Sequence, residues 1–435
     1  MNLDVDSFEK TIFSIIERHE SLRCVFLVAD GKIVQQIYPV KHPGFKIEYI
    51  DLSDKPDKMQ QLENIKNSSS ERVFDFNKGP LFEVLLIKMT AESDVVFLSM
   101  PHANCDATSL EILREEMFSI YFSFKENKKN NLKPLTGQYK EYTIWNNNWL
   151  ESDGHAQSKL FYKRRIEGSL LRERSLGYAF PSGRSYKDEL EKEIEGLTGS
   201  KIGPLHAEAI GLIARLKNRP AGAYVFFVGP EILTDFRKMA HQTNTSLFTV
   251  LVSTFAILFY QVARKEQFRI DVPITTRVYE EFENIVGWLM SSIIVCFDVD
   301  EKATLSELIK LIFASILEVS DHRFYALEKI LMDLDLPLSE VVPMQMNLVR
   351  IQGESINKFS PVHKERSDAY FHFECSISEY DNALVISICY DKKKSTGGEI
   401  EEMMRTYLKM ITDRSFRLEN PVRSICDPAA GNGMD

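Results

Sequence analysis

Apolar residues recur along the chain at two spacings, one typical of amphipathic helices and one typical of short strands. Phe8, Ile12 and Ile16 follow the helical spacing, and residues 24–29 form a continuous apolar run. Asp30-Gly31 and a second strand-like run follow, which predicts a β-hairpin. Helical and strand patterns of this kind continue through both halves of the chain, so the sequence predicts an α+β fold with mixed or antiparallel sheets.

One segment, residues 243–263, contains no charged residue and is long enough to cross a membrane as a helix. Polar side chains such as Thr249 and Ser253 interrupt it, and no similar segment flanks it. A helix that is apolar on all sides is typical of the centre of a large core, and we interpret the segment in this way. Asn244-Thr245-Ser246 then provides its N-cap.

The composition is that of an ordinary acidic globular protein of 435 residues, with 44% hydrophobic residues and a net charge of −10. These values exclude disordered and low-complexity classes. Basic runs are short, which argues against nucleic acid as a partner. The six cysteines form no paired motif and indicate reduced thiols. The first residues are acidic and lack an apolar signal region, so we expect a cytoplasmic protein with no membrane contact.

The strongest local candidate for chemistry is a loop between a strand that ends at Pro101 and a helix that we expect to be capped by Thr108. This loop contains His102 and Asp106. Imidazole is well suited to move a proton at neutral pH, and a nearby aspartate can fix the loop. A lone histidine is more often structural. A metal site with Cys105 is disfavoured because no other ligand cluster is visible, so no metal is predicted.

Several motifs occur in a characteristic order with this loop. They are Arg18-His19-Glu20-x-Leu22-Arg23, Phe74-Asp75-Phe76-x-x-Gly79-Pro80-Leu81, His102-x-x-x-Asp106-Ala107-x-Ser109, and Arg277 before Val286-Gly287-Trp288-Leu289. Together they resemble the condensation domains of nonribosomal peptide synthetases, a branch of the HxxxD acyltransferases, from residue 1 to about residue 408. The histidine motif alone would also fit wax-ester synthases, carnitine acyltransferases and plant acyltransferases, but the Asp-Phe-Gly-Trp-Gly motif of the plant enzymes is absent.

The resemblance implies two chloramphenicol-acetyltransferase-like lobes arranged as a V-shaped pseudo-dimer around a tunnel. It places the N-terminal lobe at residues 1–170 and the C-terminal lobe at 221–435, with a crossover at 171–220 between them. The sequence pattern itself shows that the crossover is charged and predicts a helix over 186–197. It further implies a site made of three groups of residues. These are the catalytic His102, the loop-supporting Asp106, Arg277 and Ala107, and the tunnel residues Trp288, Ser291 and Asn347.

The sequence departs from the family pattern at several positions. Pro101 replaces a second histidine, Ala107 replaces a glycine, and Ser291 replaces a frequent asparagine. Because a Cβ disfavours positive φ, we expect Ala107 to shift the loop. The family's opening strand has no counterpart in the sequence, so we expect an open sheet edge.

The resemblance implies an acyltransferase that moves an acyl or aminoacyl group from a carrier-protein thioester to an amine in secondary-metabolite or antibiotic biosynthesis. The carrier protein would supply phosphopantetheine in trans, and this chain would bind no cofactor itself. The acceptor would be a small-molecule amine or alcohol, and the chain would be a monomer. Two alternatives remain open: an O-acyltransferase that makes esters, and a degenerate module that only docks a carrier protein.

Overall fold

A computed structural model of the chain describes most of its residues. The described ranges are 3–30, 32–40, 44–70, 72–175, 221–263, 266–334, 344–351, 355–356, 361–366, 373–392 and 395–427. The predicted helix over 186–197 and most of the predicted crossover lie outside these ranges.

The chain forms two compact units. The first comprises Met1–Glu151 together with Thr275–Met290, and the second comprises Ser152–Ile274 together with Ser291–Asp435. These boundaries differ from the predicted lobes in two places. The helix that begins at residue 153 packs with the second unit, because Arg165 donates to the Cys296 carbonyl oxygen at 2.8 Å. The segment from residue 275 to residue 290 returns to the first unit.

In its described residues the first unit contains four α-helices and five strands. They are α1 (Val5–Arg18), β1 (Cys24–Ala29), β2 (Lys32–Ile37), β3 (Ile47–Asp51), α2 (Lys58–Ser70), β4 (Glu83–Lys88), β5 (Asp94–Ser99), α3 (Ala107–Lys125) and α4 (Tyr139–Leu150). The predicted hairpin is confirmed, since β1 and β2 pair antiparallel around Asp30, whose φ is 51°. β4 pairs with β3 in parallel and with β5 antiparallel. Among the described residues β5 has no other strand partner, so its outer side is a sheet edge.

α1 and α3 pack together over this sheet and build the core of the first unit. Ile12 and Ile15 of α1 and Leu113 of α3 have no exposed surface. This apolar face matches the helical spacing of the sequence. The packing fixes α3. The N-terminus of this helix follows the loop that contains His102 and Asp106, which we call the histidine loop.

The second unit is built around a seven-stranded mixed sheet. Its elements are α5 (Asp153–Ser175), β6 (Ala221–Val228), α6 (Pro230–Thr243), α7 (Leu247–Ala263), β7 (Gln267–Thr275), β8 (Met290–Asp298), α8 (Leu305–Ser320), α9 (Leu327–Leu334), β9 (Met344–Arg350), β10 (Val362–Arg366), β11 (Phe373–Glu379), β12 (Leu384–Asp391), α10 (Gly397–Thr412) and α11 (Val422–Cys426). The strand order is β10-β6-β12-β11-β9-β7-β8. β9 runs parallel to β7 and β11, while β12 is antiparallel to β11 and β6.

α7 is the buried helix that the charge-free segment predicts. Leu251, Phe255 and Leu258 have no exposed surface, and the helix packs against α6, α8 and α10. The predicted cap is correct only at Ser246, whose Oγ accepts from the Thr249 amide at 3.1 Å. Asn244 instead ends α6 in a left-handed conformation. Within the described ranges no single helix could span a membrane, and α6 with α7 would do so only as a pair bent by 107°.

Candidate active site

His102 lies in the short turn that joins β5 to α3. Residues His102–Asn104 form a single 3-10 turn, which comes after Pro101 and before α3. Nδ1 of the ring is 2.7 Å from the carbonyl oxygen of Cys105. A carbonyl oxygen only accepts hydrogen bonds, so Nδ1 carries the proton and donates it. In the neutral ring, Nε2 therefore has the available lone pair.

The indole of Trp288 packs against the His102 ring. The two ring centroids are 4.5 Å apart and the ring planes are inclined by 66°, an edge-to-face arrangement. Trp288 is 40% exposed, and His102 is exposed as well. One side of the imidazole therefore contacts the indole while the ring stays accessible. The resemblance assigns Trp288 to the tunnel, and nothing in the sequence pointed to this contact.

Asp106 is buried at the start of α3, where it is 1% exposed. Its Oδ1 accepts from the backbone N–H of Ser109 at 2.8 Å and so caps the helix. The prediction that Thr108 caps this helix was wrong, because Thr108 already lies inside the first turn. Asp106 stands three residues before the amide that it accepts from, which is the spacing of an N-cap.

Arg277 and Asp106 form a two-pronged ion pair inside the first unit. Nη1 donates to Oδ2 at 2.6 Å and Nη2 donates to Oδ1 at 2.9 Å, with the two side chains 4% and 0% exposed. Nη2 also donates to the carbonyl oxygen of Ile285 at 3.0 Å. Such bonds offset the cost of burying two charges. The structure thus brings together two of the residues that the resemblance assigns to support of the loop.

Three groups to which the sequence analysis gave no role complete this cluster. Ser109 Oγ is 2.8 Å from Asp106 Oδ1 and 2.9 Å from the Gly287 carbonyl oxygen. The Gly287 amide donates to Ser109 Oγ at 3.1 Å, and the Leu289 amide donates to Asp106 Oδ2 at 3.0 Å. The presence of Ser109 in the His102 motif was a signal that the sequence offered. The two backbone amides leave no signal in the sequence.

Ala107 does not distort the loop. The only described residues other than glycine with positive φ are Asp30, Asn127 and Asn244. Ala107 is the first residue of α3 and is exposed, so its Cβ points into available space. The reason for the expected shift therefore does not apply, because this position needs no left-handed backbone.

Ser291 and Asn347 belong to the second unit. Ser291 lies on β8 and Asn347 on β9, with β7 between these strands in the sheet. Ser291 Oγ and Asn347 Oδ1 are both buried, and neither has a hydrogen-bond partner among the described residues.

Cys105 is not a second reactive group. Burial, together with the nearby Asp106 charge, raises the pKa of its thiol to about 12. The thiol therefore stays protonated at neutral pH and is a poor nucleophile or metal ligand. No group of three metal-ligating side chains occurs in the described part of the chain, and all six cysteines are free.

The Arg18-His19 part of the first motif links the end of α1 to α3 through side-chain contacts with Glu116. His19 Nε2 and Arg18 Nε lie 2.7 and 2.9 Å from Glu116 Oε2. Burial alone would raise the pKa of Glu116, but its hydrogen bonds with His19 and Arg18 outweigh burial and lower that pKa. His19 is 1% exposed, so this contact is a buried structural one.

Comparison with known proteins agrees with this architecture. The family model described as "Condensation domain" matches residues 1–209 and 217–426. Bacitracin synthase 3 of Bacillus licheniformis is 23% identical over 97% of this chain, and gramicidin S synthase 2 of Aneurinibacillus migulanus is 22% identical over 98%. The chain spans only 6% and 9% of the length of those relatives.

Two solved structures share the fold. The SgcC5 protein from Streptomyces globisporus superposes with a TM-score of 0.70 at 14% identity, covering 97% of this chain and 91% of that one. The starter condensation domain of rhizomide synthetase gives 0.72 at 12% identity, covering 97% and 88%. The chain therefore belongs to the condensation-domain family of nonribosomal peptide synthetases, whose general reaction is amide-bond formation.

Proposed function

We propose that this chain is an acyltransferase that forms an amide between a carrier-bound acyl or aminoacyl thioester and a small-molecule amine, with His102 as the catalytic residue. The observation that carries the proposal is the hydrogen bond from His102 Nδ1 to the Cys105 carbonyl oxygen. That bond leaves Nε2 of the exposed ring as a proton acceptor. A base of this kind suits an acceptor that must lose a proton as it attacks.

His102 would move one proton twice. As the amine nitrogen forms a bond to the thioester carbonyl carbon, Nε2 accepts a proton from that nitrogen. As the bond from carbon to sulfur breaks, the imidazolium returns the proton to the leaving thiolate. A positioned acid-base group of this type contributes about 10²–10⁴ in rate.

The remaining site residues would have two roles: some would support the histidine loop and others would contact substrate. Asp106 and Arg277 would hold the loop, with Ala107 starting the helix behind it. The buried oxygens of Ser291 and Asn347 would hydrogen-bond substrate, since neither has a partner among the described residues.

The partner would be an acyl or peptidyl carrier protein that presents the substrate on its phosphopantetheine arm. The chain itself would act as a monomer, with no cofactor of its own.

The test is intact-protein mass spectrometry of acyl-loaded and aminoacyl-loaded carrier proteins mixed with this protein and a panel of amines and alcohols. His102→Gln is compared with His241→Gln, which changes an exposed histidine in the last turn of α6. We expect carrier discharge and a matching amide with the wild type and His241→Gln, and a loss of at least about 10²-fold with His102→Gln.

Other outcomes would favour the alternatives. An ester found only with alcohols would support the O-acyltransferase. A loaded carrier that binds but stays intact, or that discharges equally with His102→Gln, would support the docking module and overturn the catalytic assignment.

A further inference from the structure

The hydrogen bond to Cys105 does not by itself fix the imidazole. It sets the proton on Nδ1 and holds that atom 2.7 Å from the acceptor. The side chain can still rotate about its Cα–Cβ and Cβ–Cγ bonds in combinations that keep this distance, and such a change moves Nε2, which is on the far side of the ring. A second contact is needed to hold Nε2 in one direction, and the ring of Trp288 is the contact that the structure provides.

Trp288 is itself held from both sides by the histidine loop and α3. The preceding residue, Gly287, donates its amide to Ser109 Oγ at 3.1 Å. The following residue, Leu289, donates its amide to Asp106 Oδ2 at 3.0 Å. The backbone on either side of the indole is thus tied to the start of the helix that follows His102.

The exposure of Trp288 argues against a role in the core. The side chain is 40% exposed, so its truncation removes less buried surface than truncation of a core tryptophan would. Phe124 on α3 is 41% exposed in the same unit and provides a matched control.

We propose that Trp288 is a positioning residue that fixes the direction of His102 Nε2, and that Asp106, Ser109 and Arg277 act on His102 through Trp288. The expected effect of Trp288 on the reaction rate rests on the proposed function of His102. The expected effect of Trp288 on the orientation of the imidazole does not, because that orientation can be measured without substrate.

The experiment uses full-length protein with ¹³C,¹⁵N-labelled histidine and NMR detection of the imidazole resonances. The His102 signals are identified by their loss in His102→Gln. Removing the indole abolishes its ring-current shift in any case, so the readout is the set of NOEs from the His102 ring protons to the neighbouring residues of the histidine loop. We expect Trp288→Ala to weaken these NOEs, Trp288→Phe to keep part of them, and Phe124→Ala to leave them unchanged. Arg277→Lys keeps the charge but not the two-pronged geometry, so it should weaken the same NOEs.

The kinetic arm uses the carrier-discharge assay. Because a small misplacement of a catalytic group costs up to about 10²-fold, we expect Trp288→Ala to lower kcat by about 10- to 100-fold, with KM within about twofold and partial rescue by Trp288→Phe. Unchanged NOEs from the His102 ring in Trp288→Ala would overturn the proposal. Weakened NOEs with wild-type kcat would overturn its kinetic part. If the wild type discharges no carrier, the proposed function fails, while the NMR result still decides the positioning role.

Discussion

Asp106 satisfies three demands with one carboxylate. It caps α3, pairs with Arg277 and accepts the amide of Leu289. A buried charge with this many donors is stable only while its cationic partner remains. The ion pair therefore serves the local fold first and chemistry only indirectly.

This interdependence gives a prediction for the pair. Asp106→Asn and Arg277→Met each leave the other charge buried without its partner, and each should lower the free energy of unfolding by about 3–5 kcal/mol. The double variant removes both charges and should lose less than the sum of the single losses. Urea unfolding of the three variants measures this, and additive losses would contradict the coupling.

Glu116 gives a prediction about pH. Its folded-state pKa is lowered, so its contribution to stability is present above the ordinary glutamate pKa and is lost as the pH falls through the folded-state pKa. Glu116→Gln should therefore lower the free energy of unfolding by about 1–3 kcal/mol at pH 7. The difference in the free energy of unfolding between this variant and the wild type should become smaller at acidic pH, below the ordinary carboxyl pKa range.

Urea unfolding at pH 7 and in acid tests this expectation. The neighbouring Glu115→Gln is the control, because Glu115 is exposed. A difference for Glu116→Gln that stays constant with pH would mean that the hydrogen-bond geometry, and not the carboxylate charge, carries the stability.

At the scale of elements, the segment from residue 275 to residue 290 works as a strap across the start of α3. Phe282, Ile285 and Leu289 pack with Tyr142 of α4. The hydroxyl of Tyr142 lies 2.8 Å from Thr276 Oγ1. Apolar packing and hydrogen bonds thus hold the strap along its length.

Gly287 is the tightest point of the strap. A Cβ there would lie 2.7 Å from Cγ of Tyr139, closer than real carbon contacts allow. Gly287→Ala should therefore destabilise the protein by about 1–3 kcal/mol and reduce carrier discharge, because Trp288 follows directly. Gly398→Ala is the control, since nothing lies within 4 Å of its Cβ position, and it should be neutral or stabilising. Equal thermal unfolding midpoints for the two variants would contradict the steric argument.

The sequence allowed prediction of the parts of the site that are carried by distinctive side chains. His102, Asp106 and Arg277 were identifiable because a histidine loop and a distant arginine occur in the family's order. The cap of α3 was misassigned because Thr108-x-x-Glu111 matches the capping box, whereas Asp106 caps the helix as a simple N-cap residue without a glutamate three positions later. The contact of Trp288 with His102 depends on tertiary structure, which no local pattern encodes.

At the scale of the whole molecule, the first unit is completed by a segment that is distant in sequence. Residues 1–151 alone lack Arg277 and the strap's apolar side chains, so Asp106 would be buried without a partner. We expect this fragment not to reach a native fold on its own. A synthetic peptide of residues 275–290 should restore dispersed amide resonances in a saturable titration, while the same peptide with Arg277→Ala should not. A fragment that folds without the peptide would contradict this view.

The strap also sets an order of events during protein synthesis. Arg277 follows Asp106 by 171 residues. At ribosomal rates of about 5–20 residues per second, Asp106 is therefore synthesised roughly 10–30 s before Arg277. During that interval the nascent first unit contains a hydrated, unpaired Asp106 and an incomplete core. The histidine loop can therefore acquire its final geometry only after residue 290 has left the ribosome.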